Sequence, residues 1–246
     1  VIDLHCHALP GIDDGPADLG ASVALARAAA ERGMRTLVAT PHIDHWWEVE
    51  PASLPERVAA LQAALDAEGV AVEVRSGGEI ALPRLPELTE QELDGLSLGG
   101  GRHVLLEAPL TPDAGDFEAL VLETLARRPV LLAHPERCPA FLRAPERYER
   151  LLEEGVLGQV TAGSFTGQWG GTIRTTVARW LDRGWVHVVA SDAHDAYRRP
   201  PGLREPLRRA GVPDELACWL TDAVPAALVE AQPIPEPPAE VLRPRA

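Results

Sequence analysis

Two apolar rhythms alternate along this chain. Stretches in which apolar and charged residues mix at helical spacing end in a glycine, and a short run rich in Val, Leu and Ala follows. Residues 21–33 (ASVALARAAAERG) lead into 35–40 in this way, residues 142–155 (ending Glu-Glu-Gly) into 156–161, and residues 173–184 (IRTTVARWLDRG) into 186–190 (VHVVA). Glycine is the expected residue just past a helix C-terminus. A continuous apolar run after it is the pattern of a strand covered on both faces, as in a parallel sheet. Strands are predicted near 1–5, 35–40, 70–76, 103–107, 129–133, 157–161 and 186–190, with helices between most of them. Repeated β-then-α units imply a parallel sheet, either closed as a barrel or open and doubly wound. About seven strands in 246 residues suit a somewhat irregular (β/α) barrel.

From about residue 225 the chain is proline-rich (PIPEPPAEVLRP) and shows no periodic apolar face, so it reads as a loose tail. The predicted organisation is one domain over residues 1–230 and a Pro-rich C-terminal tail over 231–246. No apolar run approaches the roughly 20 residues needed to span a bilayer, and residues 1–10 lack the basic and apolar segments of a signal peptide. No membrane insertion is expected. Three cysteines, Cys6, Cys138 and Cys218, leave one unpaired in any disulfide scheme, and none lies in a CxxC spacing. That suits a reducing, cytoplasmic setting. A net charge of −14 with no basic stripe argues against nucleic acid as a partner.

The candidate chemistry sits at the strand ends. Strand one carries Asp3-Leu4-His5-Cys6-His7, and strand two ends in Thr40-Pro41-His42. The next three run into Gly78-Glu79, Leu106-Glu107 and Ala133-His134, and the last closes with Asp192-Ala193-His194. Alternate residues of a strand share a side, so His5 and His7 can grip one ion while Cys6 faces away; Asp192 and His194 have the same relation. In parallel α/β folds the C-terminal strand ends converge on the active face. Singly, each of these residues has an ordinary explanation as a buried imidazole, a surface carboxylate or a turn cap. Six strand ends converging with His, Asp or Glu do not. His103 and His187 lie at strand starts, on the wrong side for this cluster, and His45 is left open.

The segment DLHCHALPGIDDG at 3–15 resembles the first motif of the PHP (polymerase and histidinol phosphatase) superfamily, and its IDDG extension resembles the CpsB/CapC-type branch of bacterial protein-tyrosine phosphatases. TPH at 40–42, GGEI at 77–80, LLE at 105–107, AHPER at 133–137 and ASDAH at 190–194 follow in that family's order, to about residue 230. The resemblance implies a distorted (β/α)7 TIM-like barrel, the PHP fold. It also implies three divalent ions: His5, His7, Glu79 and Asp192 on the first; Glu79, Glu107 and His134 on the second; Asp14, His42 and His194 on the third. Asp13 is then a supporting or turn residue. The four ligand carboxylates against three divalent ions leave a net charge of plus two, which suits a phosphate dianion. Mixed N/O ligands without thiolate fit Mn, Fe or Zn, and the resemblance favours manganese.

Arg137 and Arg199 match arginines of the tyrosine-phosphatase branch, with Arg198 the rival of Arg199; a guanidinium fork suits phosphate oxygens. The activity implied is hydrolysis of protein phosphotyrosine by a metal-activated hydroxide. The implied partner is the Tyr-rich tail of a bacterial tyrosine kinase controlling capsule or exopolysaccharide synthesis. A histidinol-phosphatase-like small-molecule enzyme and a non-catalytic metal-binding regulatory module are the alternatives. A cysteine nucleophile is excluded by spacing, because Arg143 falls one residue too close to Cys138 and no phosphate-cradling glycines lie between them. Trp46 and Trp47, just beyond His42, are either an aromatic wall for a phenyl ring or ordinary lid packing.

Overall fold

Ile2–Cys6 forms the first strand (β1) with all five residues buried, as expected of a strand covered on both faces. The computed structural model describes residues 1–112 and 115–238, so residues 239–246 of the expected tail lie outside the described residues. After β1 come β2 (Thr36–Ala39), β3 (His42–Ile43), β4 (Glu73–Ser76), β5 (Glu79–Ala81), β6 (Val104–Glu107), β7 (Val130–Ala133), β8 (Leu157–Thr161) and β9 (Val188–Ala190). All pairings are parallel, in a three-stranded sheet ordered β1-β2-β4 and a six-stranded sheet ordered β3-β5-β6-β7-β8-β9.

The seven expected strands are all present, and two of them are broken. Only Thr40-Pro41 separates β2 from β3, and only Gly77-Gly78 separates β4 from β5. Pro41 has no N–H to give to a ladder. At the glycines the chain passes so close to its neighbours that a Cβ on Gly77 would meet Val38 Cγ1 at 2.9 Å, and one on Gly78 would meet Leu96 Cδ2 at 2.6 Å. The far margins also meet: Asp192 N–H donates to His5 O, His7 N–H donates to Ala193 O, each at 2.9 Å, and Cys6 bridges to Ala193. The chain just beyond β9 therefore lies against the end of β1.

The helices follow the expected grammar. Helix α1 (Leu19–Glu31) starts on Asp18, whose carboxylate accepts from Ala21 N–H at 2.9 Å, and ends before Gly33 with φ 80°. It is followed by α2 (Leu54–Ala67), α3 (Glu90–Gly95) and α4 (Glu118–Leu125). The helix read over 142–155 is two, α5 (Pro139–Arg143) and α6 (Pro145–Glu153), because Pro145 pushes Ala144 out of helical geometry, to φ −136° and ψ 75°. Then come α7 (Gly171–Asp182), α8 (Arg204–Arg209), α9 (Asp214–Cys218) and α10 (Val224–Val229).

Helix α10 corrects the reading of everything from residue 225 as loose. Pro225 stands in its first turn, where the missing N–H costs no helical bond, and Val224, Leu228 and Val229 are buried in a helix that packs against β1. Even the irregular segment beyond it is tied down at one point, since Trp219 Nε1 donates to Pro235 O at 2.9 Å. Among the described residues no helix is long and apolar enough to cross a membrane, and all three cysteines are free.

Candidate metal centre

The C-terminal ends of β1, β6, β7 and β9, with the starts of β3 and β5, bring His5, His7, His42, Glu79, Glu107, His134, Asp192 and His194 together, and the loop after β1 adds Asp14. Glu79, only 1% exposed, is the hub of this cluster. Its Oε1 lies 2.8 Å from His134 Nε2, and its Oε2 lies 3.3 Å from His5 Nε2, 3.4 Å from His7 Nε2 and 3.0 Å from His42 Nδ1. Asp192 Oδ1 stands 3.6 Å from Nε2 of both His5 and His7. Asp14 Oδ1 stands 3.1 Å from His194 Nε2 and 3.4 Å from His42 Nε2.

Four groups of donor atoms are close enough to share an ion. His5, His7 and Asp192 form one, with Glu79 at the contacts above, which is the expected first set. His7, Asp14, His42 and His194 form another, the expected third set with His7 added. The second set divides: Glu79 meets His134 beside His5, and meets Glu107 beside His42, so Glu107 and His134 flank the hub in separate groups.

The supporting contacts decide which nitrogens face the pocket. His7 Nδ1 donates to Asp13 Oδ2 at 2.7 Å, and His194 Nδ1 donates to the backbone oxygen of Asp192 at 3.0 Å. Both acceptors lack a proton of their own, so Nε2 of each ring is the atom left for the centre. His5 is held in the same sense, its Nδ1 2.8 Å from Gln159 Oε1. This is the outer-shell arrangement that orients metal-ligating histidines. Asp13 does turn work as well, accepting from Gly15 and His42 N–H. Asp3, fully buried, accepts from the N–H and hydroxyl of Ser191 and ties the end of β9 to β1.

The donor set fits divalent cations on a direct observation. Glu79 Oε2 and His194 Nε2 are buried and make no hydrogen bond, although imidazole or carboxylate atoms stand 3.0–3.4 Å away. Groups that crowd together without bonding to one another converge on a shared point, as ligands do. The charges agree. Burial opposes charging His7, but Asp13 and Glu79 overcome it and raise its pKa to about 9; His42 is likewise raised, against burial, by Asp14 and Glu79 to about 11. Burial, reinforced by the Glu79 charge, lifts Glu107 to about 7. Protons on His7 and His42 offset carboxylate charge at positions where a bound cation would displace them. Two buried residues of the cluster, His134 (φ 33°) and Asp192 (φ 53°), hold left-handed backbone conformations, a strain that accumulates at working sites.

Both arginines reach the centre through Asp192. Arg137 Nη1 and Arg199 Nη2 donate to its Oδ2 at 2.8 and 2.7 Å. Arg198 is not part of this clamp; its N–H donates to Asp195. Trp169, which the sequence reading did not single out, lies under both guanidinium groups, with its ring centroid 4.3 Å from Arg137 Cζ and 5.7 Å from Arg199 Cζ. A tryptophan in the loop before α7 carries no local signal that would reveal this. His45 is exposed and pairs with Glu87 at 3.0 Å, outside the cluster. His103 and His187 are structural: burial keeps each neutral, at a pKa of about 4.

Glu136 anchors the turn that carries His134 and Arg137. It is fully buried, and its Oε1 accepts from Thr161 N–H at 2.9 Å and Ser164 Oγ–H at 2.7 Å, while Oε2 has no partner. Burial outweighs these bonds and raises its pKa from 4.5 to about 7. A carboxyl group that holds its proton more tightly when folded lends stability below the unfolded pKa and withdraws it as pH rises through the folded one. Glu136→Gln keeps both accepted bonds and has no charge to bury. Chemical denaturation at pH 8 is expected to find it more stable than wild type by roughly 1–3 kcal/mol, with the difference gone at pH 4.5. A constant difference across that range would contradict the assignment.

Residues 1–210 match the family model for capsular polysaccharide synthesis, CpsB/CapC. The chain is 33% identical over 209 residues to the tyrosine-protein phosphatase YwqE of Bacillus subtilis, covering 84% of this chain and 82% of that protein. It is 29% identical over 217 residues to the tyrosine-protein phosphatase CpsB of Streptococcus pneumoniae, covering 83% and 87%. A crystal structure from the pair YwqE of Bacillus subtilis and CpsB of Streptococcus pneumoniae, described as unique metal-dependent tyrosine phosphatases, superimposes with a TM-score of 0.83 at 31% identity, over 97% of this chain and 99% of that one.

Proposed function

Because the chain belongs to the CpsB/CapC family, we propose that it is a metal-dependent protein-tyrosine phosphatase with three divalent ions, manganese by preference, at the Glu79-centred cluster. The observation that carries this reading is the convergence of five imidazoles and four carboxylates on one cluster, buried at Glu79 and open at Asp14, with two arginines at its edge. Bound divalent ions supply positive charge for the phosphoryl oxygens and lower the pKa of water to the neutral range.

The chain's own residues do the rest. His5, His7, Glu79 and Asp192 form the first ligand group, Glu79 links it to His134 and Glu107, and Asp14, His42 and His194 form the third. Arg137 and Arg199 each spend one Nη on Asp192 and keep further N–H donors for phosphate oxygens, while the Trp169 ring lies against both guanidinium groups. A tyrosine leaving group, with a pKa of about 10, asks little of a general acid. The hydrogen bonds between His5, His7 and Asp192–Ala193 support closure of the strands into a distorted seven-stranded barrel. The protein is read as one catalytic domain over 1–230 with a C-terminal tail. Its free cysteines favour the cytoplasm, and the capsular-polysaccharide family supports a phosphotyrosine protein of that pathway as substrate, for which the Tyr-rich tail of a bacterial tyrosine kinase is our candidate.

Metal analysis of purified protein, paired with hydrolysis of a phosphotyrosine peptide before and after chelation, tests this. Activity is expected to disappear with the metal and return with Mn2+; turnover that survives complete metal removal would refute the mechanism.

A further inference from the structure

We propose that the groove leading outward from Glu107 seats the aromatic ring of the substrate, and that Trp46 is the wall that makes the site prefer aryl over alkyl phosphate esters. This deepens the phosphatase reading and rests on it. The groove encloses about 560 Å³ between the loop after β3 and the segment after β6, and its lining includes Asp44, Trp46, Leu82, Glu107, Leu110 and Phe117. Glu107 belongs both to this groove and to the donor group it forms with His42 and Glu79, so it stands at the boundary between the two. A phosphoryl group held at the cluster can direct its ester substituent past Glu107 into the groove.

The walls suit a flat apolar group. Leu82 and Phe117 are buried, while Leu110 and Trp46 are 42% and 88% exposed. An indole left that open keeps apolar surface in water, which is unfavourable unless something covers it. Nor is Trp46 at a frayed tip. Asp44 Oδ1 accepts from the N–H of Trp46 at 2.8 Å and of Trp47 at 3.0 Å, closing a turn that fixes the backbone and presents the ring. A phenyl ring entering from Glu107 meets the indole and covers it. An alkyl phosphate of similar head group leaves the same surface wet.

The test is binding, which needs no turnover. Phenylphosphonate and methylphosphonate share the head group and differ in the ring. Calorimetry with the full chain and Mn2+ is expected to show phenylphosphonate binding wild type about tenfold more tightly. Trp46→Ala should narrow that ratio roughly three- to tenfold through phenylphosphonate alone, and Trp46→Phe should restore most of it. Equal binding of the two phosphonates by wild type, binding of neither, or an unchanged ratio in Trp46→Ala would each overturn the groove assignment. The failures separate: a protein with the expected binding ratio that hydrolyses no phosphate ester sinks the phosphatase reading and leaves the groove. Hydrolysis of phosphate esters with no discrimination between phenylphosphonate and methylphosphonate in binding does the reverse.

Discussion

Glu79→Gln is expected to lower kcat on a phosphotyrosine peptide by roughly a thousandfold or more, and to purify with less bound metal than wild type. The exchange keeps side-chain size and one carbonyl oxygen, so the buried site is not emptied. It removes the one negative charge that contacts His5, His7, His42 and His134 together. An amide nitrogen in place of either oxygen turns a donor toward imidazoles that must offer lone pairs, so more than one ligand group is damaged at once. Glu107→Gln is the control. Glu107 is only half-buried and, among the described residues, joins a single donor group, that of His42 and Glu79, so its loss should cost less activity and less metal. Removing one partner of a buried charged cluster destabilises, so thermal unfolding of Glu79→Gln is measured beside its rate and metal content to separate lost fold from lost site. Equal metal content and rate in Glu79→Gln and wild type would show that the hub is misassigned.

The arrangement that makes Glu79 central was largely legible in the sequence, for a geometric reason. A strand has a two-residue period and a parallel sheet has a common polarity, so HxH at the end of β1 and the acids and imidazoles at the other strand ends had to gather at one face. The left-handed backbone at Asp192 that aims DxH there was not legible. The contacts that hold those residues were not legible. Gln159 lies 154 positions from His5, and Ser191 lies 188 from Asp3, so nothing near either residue marks the pairing. The same holds for Trp169, which owes its place to arginines on two other loops. The broken strands at Pro41 and Gly77-Gly78 carried a signal in their residue types, but their effect depends on Val38 and Leu96 packing against them. Helix α10 was misread because proline density was weighed above the spacing of Val224, Leu228 and Val229, and because a proline in a first turn is compatible with a helix.

Asp192 joins the two halves of the site, and Asp192→Asn separates what each contributes. Its Oδ1 faces His5 and His7, its Oδ2 takes both arginines, and its backbone oxygen holds His194. Burial favours the protonated acid, yet His5 and the neighbouring cations prevail and lower its pKa to about 2, so the residue is an anion at any working pH. Asparagine removes that charge and sets an NH2 against either the guanidinium groups or the pocket. The backbone does not object, because asparagine accepts a φ of 53° at least as readily as aspartate. The expected result is a fall in kcat of about a hundredfold or more together with partial loss of metal. Arg137→Ala should instead keep most of its metal, because Arg199 still holds Asp192 Oδ2, and should weaken inhibition by inorganic phosphate through the lost guanidinium donors. If Asp192→Asn retained full metal and lost only phosphate affinity, Asp192 would be a holder of arginines and not a ligand, and the first ion would rest on His5, His7 and Glu79 alone.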